Sequence, residues 1–114
     1  MNNEVFSTGV TKVVNEQNYN EIAYKKGGKT IKCGWVSNDG PIELQITING
    51  IYSTDIHPSV LIGKGTIIAQ NATIKSGVVL GEMVVINKSA VICEDVMIGD
   101  DSDIEELSYV TIGE

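Results

Sequence analysis

The sequence predicts an all-β protein: a short parallel coil of three flat faces over residues 56–114, about three coils long, preceded by a small antiparallel β unit in residues 1–55. Three observations carry this. Aliphatic residues recur every six positions throughout the second half. Valine and isoleucine supply 29 residues against four leucines, and β-branched side chains suit a pleated surface better than a helix. Five of the six aromatic residues precede position 55, so the second half must close around a narrow aliphatic interior.

The first unit reads as strands separated by turn signals. Val5 to Val14 reads as a further strand. Glu21–Lys25 and Thr30–Val36 flank Lys26-Gly27-Gly28-Lys29, which reads as a hairpin turn and, with less support, as an anion site. Ile42 to Ile48 alternates apolar with polar, the pattern of a half-buried strand, between the turn signals Asn38-Asp39-Gly40-Pro41 and Asn49-Gly50. This meander is expected to cap the lower end of the coil and shield its unpaired edge.

From Ile56 the six-residue step gives Ile62, Ile68, Ile74, Leu80, Ile86, Ile92, Ile98, Ile104 and Val110. The residue two before each of the last nine is small or β-branched, from Val60 and Thr66 to Ser102 and Ser108. A helix needs apolar spacings of three and four, and a meander needs turns of varied length, so neither fits. Three six-residue faces make an eighteen-residue coil, in which like residues stack at the strand spacing of about 4.8 Å. The expected columns are Ile56/Ile74/Ile92/Val110, Ile62/Leu80/Ile98 and Ile68/Ile86/Ile104. Gly63, Gly81 and Gly99 also stack and are expected at a corner needing unusual dihedrals. Lys64 falls under Glu82 and Lys88 under Glu106, so opposite charges alternate up the coil. Near the end, either Val110 or Ile112 can serve as the inward aliphatic.

The stretch from Ile56-His57-Pro58-Ser59-Val60-Leu61-Ile62-Gly63 to Val110-Thr111-Ile112-Gly113-Glu114 resembles the left-handed parallel β-helix of the hexapeptide-repeat acyltransferases, most closely the sugar O- and N-acetyltransferases of bacterial surface-glycan synthesis. The resemblance implies the left-handed winding, a side-by-side homotrimer and, for an active member, acetyl-CoA as donor. Members place a general-base histidine two residues after an inward aliphatic. In Ile92-Cys93-Glu94-Asp95-Val96-Met97-Ile98-Gly99 that place holds Glu94. A carboxylate near its ordinary pKa is a poor base at neutral pH, so Glu94 needs burial or a neighbour such as Asp95 to raise it, and otherwise is a solvated coil residue. The single histidine, His57, corresponds to a feature of the opening coil rather than to the base. One histidine also excludes the zinc carbonic anhydrases that share this coil, which need three imidazole ligands. The 56–114 array is short for the groove in which members hold the pantetheine arm.

Other constellations are weaker. Asp101, Asp103 and Glu105 alternate within an acidic run and could offer oxygen ligands to a hard cation, but no calcium-loop pattern is met and a solvated rim is expected, with no metal site. Cys33 and Cys93 lack metal or redox spacing and read as buried or idle thiols of a reducing compartment. A net charge of −7 with no arginine argues against nucleic acid. No apolar run is long enough for a membrane, and Met-Asn-Asn-Glu does not open a secretion signal. The expected setting is the cytoplasm, or a viral or cell-surface assembly. The function expected is a non-catalytic homotrimeric structural or binding module without cofactor. Outward Leu61, Ile67, Val79, Val85 and Val91 would supply its trimer contacts. The alternative is an acetyl-CoA-dependent transferase acting on a sugar or amino sugar, with Glu94 as base.

Overall fold

The computed structural model describes residues 5–37 and 46–112. Three strands, β1 (Val5–Val14), β2 (Gln17–Lys26) and β3 (Lys29–Ser37), form an antiparallel meander. The β2–β3 turn is Gly27-Gly28, both at positive φ, the two-residue geometry whose twist matches the flanking strands. Asn15 and Glu16 make the β1–β2 turn with the same sign of φ, although neither is glycine.

Eleven short strands follow: β4 (Ile46–Ile48), β5 (Asp55–Ile56), β6 (Leu61–Ile62), β7 (Thr66–Ile68), β8 (Thr73–Ile74), β9 (Val79–Leu80), β10 (Val85–Ile86), β11 (Val91–Ile92), β12 (Met97–Ile98), β13 (Asp103–Ile104) and β14 (Tyr109–Val110). They stack in parallel as three sheets, in the orders β3-β6-β9-β12, β4-β7-β10-β13 and β5-β8-β11-β14, a β-solenoid of about four turns. The predicted columns are paired residue by residue: Ile56 with Ile74, Ile74 with Ile92, Ile92 with Val110, Ile62 with Leu80, Leu80 with Ile98, Ile68 with Ile86 and Ile86 with Ile104. Val110 takes the last inward place, and Ile112 is 56% exposed.

Parallel pairing reaches upstream of Ile56, which is where the additional turn comes from. Trp35 and Val36 of β3 pair with Leu61 and Ile62, and Ile46 to Ile48 pair with Thr66 to Ile68. The six-step hides these positions because the connections are longer there: a turn of 3-10 helix at Ile51–Ser53 lies between β4 and β5. The meander therefore continues one solenoid face beyond the first rung through a shared strand and also packs against the base. Val5, Ile22, Tyr24 and Cys33 join Ile51 and Ile56 in one core with the columns above. Tyr24 meets Tyr52 edge to face, with ring centroids 5.5 Å apart at 75°. The expected turn at 38–41 and the first part of the strand expected from Ile42 lie outside the described residues.

One expectation is corrected. The left-handed corner is not at Gly63, Gly81 or Gly99, none of which has positive φ. It lies two residues further on and recurs every six: Gly65, Asn71, Gly77, Met83, Ser89, Asp95, Asp101 and Leu107 all have positive φ. Gly63 is small for another reason. A Cβ there would run into the carbonyl of Gly81 on the next rung.

Candidate functional site

Where the solenoid turns the corner after β5, β3 does not turn with it, and the angle between them opens a cleft of about 630 Å³. Thr30, Ile31 and Lys32 of β3 form one wall; Asp55 to Pro58, Thr73 to Ser76 and Glu94 form the other. Lys75 lies eighteen residues after His57, and Glu94 eighteen after Ser76, so repeat geometry alone stacks these polar side chains along one corner. The structure thus brings together His57 and Glu94, which the sequence singled out separately. Lys32, Asp55 and Lys75 were missed. The eighteen-residue step could have placed Lys75 beside His57, but nothing in the local sequence announces the overhang of β3.

His57 is held in a tight turn. The backbone N–H of Ser59 donates to its Nδ1 at 3.1 Å, and the Ser59 hydroxyl lies 2.9 Å from the same nitrogen. That hydroxyl accepts the Gly77 N–H of the next rung at 2.9 Å. An N–H can only donate, so Nδ1 accepts and the neutral ring carries its proton on Nε2. In that tautomer the remaining polar atom of the ring is an N–H donor on Nε2.

The other groups have traceable environments. Lys32 Nζ lies 3.5 Å from the buried carboxylate of Glu21, which also accepts the Thr8 hydroxyl at 2.7 Å. Tyr24 has its phenol pKa raised, first by burial and then by the negative ends of Cys33, Asp55 and Tyr52. Glu94 is exposed. In the rung above, the exposed Tyr109 has its pKa raised by a hydrogen bond with Cys93 and by the nearby charge of Glu94. Burial pushes the thiol of Cys33 up to about 12, so it stays protonated and inert at neutral pH. Both cysteines are free and buried.

The acidic run contributes to the upper rungs rather than to this cleft. Asp100 accepts the Glu82 N–H at 2.8 Å, and Asp103 accepts the side-chain amide of Asn87 at 2.8 Å. Among the described residues no three His, Cys, Asp or Glu side chains are grouped to hold a metal ion, and no helix is long and apolar enough to cross a membrane. The chain matches no known family, no curated protein and no solved structure.

Proposed function

We propose that this chain is a non-catalytic β-solenoid module that works by presenting surface, associates side by side as a homotrimer, and uses the corner cleft for binding rather than for chemistry. The observation that carries this reading is at the place where the resemblance puts the general base: the side chain there, Glu94, is an exposed carboxylate and not an imidazole. Glu94 is solvated, without the burial that would make a carboxylate a useful base at neutral pH. Support for the trimer comes from the outward aliphatic residues. Ile67 is 39% exposed and Val79, Val85 and Val91 are half-buried on the three faces, whereas Leu61 is covered within the chain.

A second reading, acyl transfer from acetyl-CoA to a sugar or amino sugar, has one observation in its favour: His57 and Glu94 line the same cleft. Calorimetric titration with acetyl-CoA separates the two. The module produces no binding heat. Clear binding would overturn the reading, and its loss in Glu94→Gln would point to the cleft as the site. Light scattering at micromolar concentration is expected to give three times the chain mass, and a monomer would remove the trimer.

A further inference from the structure

The strand edges at the cleft are incompletely paired. β3 pairs with β2 from Lys29 opposite Lys26 to Ser37 opposite Tyr19, with a register shift at Cys33. On its other edge it pairs with β6 only at Trp35 and Val36, because β6 is two residues long and the chain before it has turned the corner. The Lys29–Cys33 half of β3 thus has a ladder partner on one side alone. Among the described residues β5, across the cleft, is the last strand of its sheet and pairs only with β8, and no second partner lies along Lys29–Cys33. The cleft is bounded on one side by this open stretch of β3, and open edges are templates for another strand.

The charge at the hairpin end of this edge is opposite to that of the chain. In the cleft Lys32 and Lys75 meet Asp55 and Glu94, and Lys25, Lys26 and Lys29 on the hairpin beside Thr30 add three further ammonium groups, in a protein of net charge −7. His57 adds a ring N–H donor at Nε2 in the tautomer described above. From this juxtaposition we propose that the cleft binds an extended acidic peptide segment of a partner protein, which adds as a strand to the open edge of β3 and directs carboxylates toward Lys75 and the hairpin lysines. Main-chain pairing supplies sequence-tolerant affinity, and the lysines select acidic partners. The inference rests on the non-catalytic binding reading above.

The test is fluorescence anisotropy with a dye-labelled octapeptide of alternating valine and glutamate, against the whole chain. Two control peptides go alongside: one with lysine for glutamate, and one N-methylated at every second amide, which keeps the charge but removes the donors of one edge. Saturable binding of the glutamate peptide is expected. It should weaken about tenfold in Lys75→Glu, and at least about tenfold on N-methylation. The lysine peptide should not bind. Circular dichroism identical to the parent confirms that Lys75→Glu, at a half-buried surface position, is folded. Equal binding of the N-methylated peptide would overturn strand addition, and equal binding of the lysine peptide would overturn the charge argument. No binding of the glutamate peptide would overturn the proposal while leaving the module standing, because the module itself fails only by the acetyl-CoA titration.

Discussion

At each corner of the solenoid one residue carries a left-handed backbone, and only Gly65 and Gly77 among the eight are glycine. Met83, at φ 59 and 58% exposed, bears the cost of a side chain there with little burial in return. Met83→Gly is expected to raise stability by about 0.5–1 kcal/mol in urea unfolding. Gly63 behaves in the opposite way because its constraint is space. Gly63→Ala drives a Cβ into backbone that cannot move aside and is expected to cost about 3 kcal/mol. If the two substitutions had effects of the same sign, the assignment of the corner would fail. Cys33 gives a pH dependence. Its thiol goes from an ordinary 9.0 to about 12 in the fold, so the unfolded chain loses this proton first. Its contribution is complete below about pH 9 and is lost progressively as pH rises toward 12, at up to about 1.4 kcal/mol per pH unit. Alkaline denaturation curves should show that slope, and Cys33→Ala should flatten it.

Strands of two or three residues are too short to persist alone, so each rung is held by the rungs above and below. Inward positions show this as a gradient along the axis. Ile86 and Ile92 are fully buried, whereas Ile98, Ile104 and Val110 on the upper rungs are only partly covered. Ile86→Ala should cost about 3–4 kcal/mol, a cavity between two rungs. Ile104→Ala, one rung higher in the same column, should cost about half as much, since much of its surface already meets water. Equal losses would contradict the gradient. The interior also contains one polar group that is fully satisfied. Thr66 donates to the Gly81 carbonyl at 2.9 Å and accepts the Val84 N–H at 3.3 Å, so a hydroxyl is buried beneath Val84 without an orphaned atom.

Across the molecule, β3 belongs both to the meander and to the first solenoid turn, and one hydrophobic core runs through both. A shared strand and a shared core couple the two parts energetically. Urea unfolding followed by Trp35 fluorescence, which reports the seam, and by far-ultraviolet circular dichroism, which reports all strands, should give coincident transitions. Separate midpoints would mean that the meander unfolds on its own. The same strand creates the cleft. Had β3 turned with the coil, its edge would be covered and Lys32 would not face Lys75 across an opening.

The amino-acid sequence by itself determined the coil. Side chains that repeat every six residues leave one way to bury every aliphatic column, and those columns pair as the spacing requires. It also marked Gly27-Gly28 as a turn and His57 and Glu94 as the residues to examine. Tertiary structure alone decided the rest: that Val36 and Ile48 begin the columns, that the corner falls at Gly65 rather than Gly63, and that His57, Lys32, Lys75 and Glu94 share one cleft. The physical reason is range. Periodicity records which neighbours a residue will have one rung away, whereas the overhang of β3 depends on irregular connections whose length and direction leave no repeating mark.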